Sequence, residues 1–132
     1  MDIYTETILD HYQHPHHAGA LARPTIKASA DNPLCGDKIY IDLLIKNGVV
    51  ADVGFVGTGC AISQAAMSLL ADEVLDKKVS NLKKYTPAKI YGMLKVPISP
   101  GRVKCALLGL ATLQKALGRH PLLSKEGPAR NA

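Results

Sequence analysis

Three cysteines and one aspartate are the residues of this chain best suited to chemistry. Cys35 and Asp37 lie in Asn32-Pro33-Leu34-Cys35-Gly36-Asp37, Cys60 in Gly57-Thr58-Gly59-Cys60, and Cys105 in Arg102-Val103-Lys104-Cys105. The thiolate is the form of cysteine that binds metals and attacks sulfur, and helix N-termini and neighbouring cations favour it. Each thiol falls where a periodic segment begins or ends, so Cys60 and Cys105 sit near helix N-termini, with Lys104 adding positive charge beside Cys105. Gly36, Gly57 and Gly59 leave backbone room around the thiols. Asp37, two residues beyond Cys35, can loop back to offer a carboxylate. Three cysteines and one aspartate would satisfy tetrahedral zinc or hold a small iron–sulfur cluster. The intervals of 25 and 45 residues are not those of a zinc finger, and scattered cysteines in a small protein also serve as buried hydrophobes.

The elements that must position these residues follow from hydrophobic periodicity. Asp2 to about His14 places Ile3, Tyr4, Thr7, Ile8, His11 and Tyr12 on one helical stripe, which Pro15 ends. Gln13 to Leu21 reads as a loop, with His14, His16 and His17 clustered in it, and Thr25 to Ser29 as a short edge strand. Aliphatic residues at 39, 41, 43 and 45 define a half-buried strand, and Asn47-Gly48 turns the chain into a second, with Val49, Ala51, Val53 and Phe55 on one face. After Gly59 the pattern is helical: Ala61 to Leu75, Asn81 to Leu94 with a break near Pro87, and about Val103 to Leu117, closed by Gly118. The expected fold is α+β, a small three-stranded antiparallel sheet with helices packed on one face. Residues 1–118 form one domain in this scheme, and 119–132 a flexible tail.

Composition narrows the function. The 132 residues are 47% hydrophobic and 20% charged, which suits a folded domain. No apolar run nears the ~20 residues of a membrane span, and Met1 to Glu6 has no leader character, so cytoplasm is the expected compartment. There three cysteines imply thiol or metal chemistry before disulfides. The formal charge is +5, split between 4 Lys/Arg against 7 Asp/Glu in residues 1–66 and 12 against 4 in residues 67–132. A basic half could serve a structural zinc or nucleic-acid module. It contains only Tyr85 and Tyr91 as stacking aromatics, however, and no groove-reading motif, so no nucleic-acid partner is expected.

Four segments together resemble the IscU/NifU/SufU family of iron–sulfur cluster scaffold proteins over about residues 3–118. They are Ile8-Leu9-Asp10-His11-Tyr12 with Pro15 and Gly19, Asn32 to Asp37, Gly59-Cys60-Ala61-Ile62-Ser63, and Arg102-Val103-Lys104-Cys105-Ala106-Leu107-Leu108. The resemblance implies a protein that accepts persulfide sulfur from a cysteine desulfurase of the SufS/IscS kind. It would build or relay a transient [2Fe-2S] cluster for apo client proteins, or bind Zn2+ at the same site. By motif match Cys35, Cys60 and Cys105 become ligands, and Asp37 the carboxylate that ligates zinc or keeps a cluster labile. Cys105 is the expected persulfide acceptor, with Arg102 and Lys104 as accessory residues.

This chain departs from the family pattern in two ways. IscU-type members place a histidine where this chain has Lys104, and an ammonium has no lone pair for a metal. That points toward the SufU type and the alternative of a zinc-dependent sulfurtransferase that relays persulfide without holding a cluster. Yet the 45-residue interval between Cys60 and Cys105 leaves little room for the segment SufU-type members insert there. Val96-Pro97-Ile98-Ser99-Pro100 also matches poorly the proline motif that IscU offers to its chaperone.

Overall fold

The computed structural model describes residues 3–33 and 36–118, with side chains from Glu6 onward. Helix α1 (Ile3–Gln13) is followed by strands β1 (Ile26–Asn32), β2 (Asp37–Lys46) and β3 (Val49–Thr58). Helices α2 (Ala61–Val74), α3 (Val79–Leu82), α4 (Pro87–Leu94) and α5 (Val103–Gly118) complete the order, with a 3-10 turn at Pro100–Arg102 leading into α5. The strands form an antiparallel meander in the order β1-β2-β3. This is the expected fold class. The break near Pro87 is real, because proline opens α4 at its first turn, where no amide is needed. The tail expected at 119–132, and the side chains of Ile3 and Tyr4, lie outside the described residues.

Strand alternation builds the core. Ile39, Ile41 and Leu43 of β2 are fully buried, flanked by Ile26 and Ala28 of β1 and by Val53 and Phe55 of β3. Helix α5 packs on β1 and β2, α2 on β3, and α1 lies on α2. The face pattern expected for β3 holds only from Val53 onward. A bulge at Leu44/Ile45 pairs Leu44 with Asp52 and Ile45 with Val50, leaving Ala51 extra. One inserted residue flips the alternation, so Val50 is buried while Ala51 is exposed. The hairpin turn itself is as expected, with φ of 54° at Asn47 and 76° at Gly48. Strand β1 runs three residues beyond Ser29, because its pairing continues to Asn32 opposite Asp37.

The opposite sheet face is crossed by the segment after α1. The Phe55 amide donates to the His17 carbonyl and the Gly19 amide to the Phe55 carbonyl, which covers the free edge of β3. The chain then passes over Gly54, where a Cβ would collide with the Gly19 carbonyl, and the Leu21 amide donates to Asp42 Oδ2 at 3.0 Å. His11 is buried against α2, its Nδ1 2.7 Å from Ser68 Oγ.

The loop between α3 and α4 is tied to α2 by Tyr85, whose hydroxyl donates to Glu73 Oε2 at 2.8 Å. Burial and the facing carboxylate push the Tyr85 phenol up to about 12. Burial alone would raise Glu73, but the Tyr85 hydroxyl, Lys89 and Lys77 outweigh it and hold the carboxyl low. A phenol whose folded pKa is raised stabilises the fold fully below the unfolded pKa near ~10, and that contribution is lost as pH rises through about 12. An ultraviolet phenolate titration should show one tyrosine ionising after the others, and Tyr85→Phe should remove that late step. A late step that persists in the variant would place it elsewhere.

Candidate functional site

Alternation along β2 puts Asp37 on the same face as Ile39, Ile41 and Leu43, the side that receives the helices. Its carboxylate, 1% exposed, lies under the start of α2. Oδ1 accepts the Cys60 amide at 3.1 Å, and Oδ2 lies 3.8 Å from Cys60 Sγ. Gly59 makes this approach possible. Its φ is +136°, a conformation side chains rarely adopt, and a Cβ there would occupy the space of the Asp37 carboxyl group. Gly57 is pressed against the Gln64 amide in the same way.

Cys60 is the residue that caps α2, with extended backbone at φ −78° and ψ 166°, and it is half-buried. Ser63 donates its hydroxyl to the Cys60 carbonyl at 3.0 Å and lies 3.8 Å from its sulfur. Cys105 stands in the first turn of α5 and is fully buried. The sulfurs of Cys60 and Cys105 and a carboxylate oxygen of Asp37 all lie within 4.8 Å of one another. Both thiols thus sit where helix N-termini favour negative charge. The exposed Arg102 guanidinium hydrogen-bonds toward Cys60 and stands beside Cys105, which raises its own pKa.

The predicted residues are therefore placed as follows. Asp37, Cys60, Cys105 and Arg102 converge. Lys104 does not join them: it is exposed and lines a shallow hollow with Asp31, Asn32, Pro33 and Leu107. Cys35 lies outside the described residues. Its neighbours belong to the tight β1–β2 connection, closed by the Gly36 amide on the Asn32 carbonyl at 2.8 Å. Ser63, which enters the sequence reading only as the last residue of the Gly59 to Ser63 segment, also lies at the site through its contacts with Cys60. The histidine cluster differs from the one expected. Asp72 of α2 gathers His16 and His17, with His11 beside His16, while His14 is exposed. Burial, and the neighbouring His16, lower the His11 pKa against the opposing pull of Asp72 and Asp10.

Two thiols and a buried carboxylate, gathered at helix N-termini beside a three-stranded sheet, define an α+β domain with a candidate thiolate metal centre. Residues 3–126 match the family described as the NifU-like N terminal domain, and the chain belongs to that family. It is 31% identical to the iron–sulfur cluster assembly scaffold protein IscU of Thermotoga maritima, over 87% of this chain and 92% of the relative. It is 28% identical to the zinc-dependent sulfurtransferase SufU of Bacillus subtilis, over 89% of this chain and 91% of the relative. Among solved structures, a putative iron–sulfur cluster assembly scaffold protein for the SUF system of Fervidobacterium islandicum superposes with a TM-score of 0.76. The two share 26% identity, over 85% of this chain and 94% of the other.

Gly59→Ala tests whether the carboxylate must sit under the turn. Strain at a positive φ and displacement of Asp37 should together cost about 2 kcal/mol or more, read from urea unfolding. Zinc uptake should fall in parallel. A variant of unchanged stability would show that the Asp37–Gly59 contact is dispensable.

Proposed function

We propose that this protein is an iron–sulfur cluster assembly scaffold that takes up sulfur at the centre formed by Asp37, Cys60 and Cys105, with Cys35 as the further ligand. The convergence of two thiols and a carboxylate oxygen within 4.8 Å is the observation that supports it. The donor set fits a tetrahedral thiolate site closed by one oxygen. The same residues would hold zinc as a resident ion, which would keep the thiols deprotonated and preset their geometry. The cluster itself is cargo. An oxygen ligand among thiolates is the weaker partner for iron, which suits a cluster that must leave for an apo client protein.

Sulfur arrives as a persulfide on a cysteine desulfurase. A thiolate of this chain attacks the outer sulfur, the donor S–S bond breaks, the donor cysteine leaves as thiolate, and the sulfane sulfur remains as a persulfide on the acceptor. We assign that role to Cys105, beside the Arg102 guanidinium, which can pair with the negative charge of either species. Because Cys105 is fully buried, acceptance requires the residues around it to yield when the donor docks. Cys60, being half-buried, is within easier reach of an incoming sulfur.

Lys104 favours a second reading, a zinc-dependent sulfurtransferase that relays persulfide without a cluster. The position before Cys105 offers no lone pair, which leaves Asp37 as the oxygen donor of a zinc site. The two readings part on one outcome: only the scaffold hands a cluster to an apo-ferredoxin.

Anaerobic incubation with a cysteine desulfurase, cysteine and ferrous iron should give the charge-transfer colour of a cluster; no colour and no persulfide on any thiol would refute both readings. Cys105→Ser should abolish persulfide labelling seen by mass spectrometry, and undiminished labelling would move the acceptor to Cys35 or Cys60. Asp37→Ala should weaken zinc binding and lengthen cluster lifetime, with Asp37→Asn as the variant that keeps an acceptor for the Cys60 amide. A cluster that decays faster in Asp37→Ala than in wild type would contradict the labile-ligand role.

A further inference from the structure

The histidines gathered around Asp72, near the end of α2, lie far from the thiolate centre. Cys60 caps the first turn of α2 and Asp72 occupies its last, a separation of roughly 18 Å along the helix at ~1.5 Å per residue. There one ring nitrogen each from His11 and His16 and a carboxylate oxygen of Asp72 lie within 4.8 Å of one another. We propose that His11, His16 and Asp72 form a second metal site, one that takes a divalent first-row cation of the Fe2+ or Zn2+ type.

Two imidazoles and one carboxylate are borderline donors suited to these ions, and such a triad leaves positions open for water or exchange. The cluster has an inner wall and a mouth. His11 is buried at the back, while the side chains of His16 and Asp72 are 45% and 42% exposed, so an ion can enter. The surrounding contacts orient the donors. Ser68 Oγ lies 2.7 Å from His11 Nδ1 and accepts the His16 amide at 2.7 Å, the kind of neighbour that fixes an imidazole ligand's tautomer and ring plane. His17 Nε2 lies 3.0 Å from Asp72 Oδ1, while His16 Nδ1 takes Oδ2 at 2.5 Å. His17 reaches that oxygen from a φ of +62°, an uncommon backbone state for a residue with a side chain. The His11 and His16 ring centroids are 4.3 Å apart, a spacing that disfavours two imidazolium charges and suits two lone pairs sharing one cation. A merely structural role would be met by the pairing of His16 and His17 with Asp72 and by His11 packed on Ser68, and would take up no ion.

Zinc content after equilibrium dialysis of the full chain tests this, with cobalt absorption reading the thiolate centre independently. Wild type should hold one more zinc ion per chain than either His16→Ala or Asp72→Asn, and both variants should keep the thiolate-to-cobalt band. Cys60→Ser should show the reverse, losing the band and keeping the ion at the histidines. Equal zinc content in wild type and in His16→Ala would overturn the proposal, whereas a missing cobalt band in wild type would count against the thiolate centre alone.

Discussion

A buried carboxylate needs partners, because an ion removed from water without compensation costs several kcal/mol. Asp37 finds one in the Cys60 amide at the positive end of α2, through a space open only because Gly59 has no side chain. That contact joins sheet to helix and sets the distance between the carboxylate and two thiols. The pairing of β1 with β2 through Asn32 and Asp37 fixes where the strand begins, and strand parity then turns Asp37 inward. A one-residue shift of β2 in that pairing would send the carboxylate to the solvent face.

The centre that results is unequal by construction. One thiol is half-buried at a helix cap, another is fully enclosed in the first turn of α5, and the carboxylate accepts a backbone amide of the α2 cap. A carboxylate engaged on Oδ1 keeps its second oxygen near the Cys60 sulfur, 3.8 Å away. The exposed Arg102 adds a positive charge at the rim beside Cys60 and Cys105, screened in part by the water around it.

Much of this was legible before any coordinates. Alternation at 39, 41 and 43 marked the core face, and Asn47-Gly48 marked the turn. The bulge at Ala51 was not, because Val49, Ala51 and Val53 satisfy a two-residue period as well as Val50 does, and only the pairing with β2 decides between them. The four motifs indicated that distant cysteines share a site, but not that Gly59 makes room for Asp37, which depends on the cross-strand position of the two. The partner of His16 and His17 was beyond reach for a different reason. Asp72 lies 56 and 55 residues away on a helix where it and Glu73 look like ordinary solvated acids.

Lys104 shows how a departure from a family pattern can be read through geometry. Successive residues of a helix point about 100° apart, so the side chain before Cys105 cannot share its direction. In this fold it leans toward Asp31, Asn32 and Pro33, the end of β1 that leads into the connection bearing Cys35. A lysine there is no substitute for a ligand. Its ammonium lies instead by the end of β1, while Arg102 supplies the charge beside Cys60 and Cys105. The two cations of this segment therefore face different parts of the fold, and of the two it is Arg102 that stands beside the described thiols.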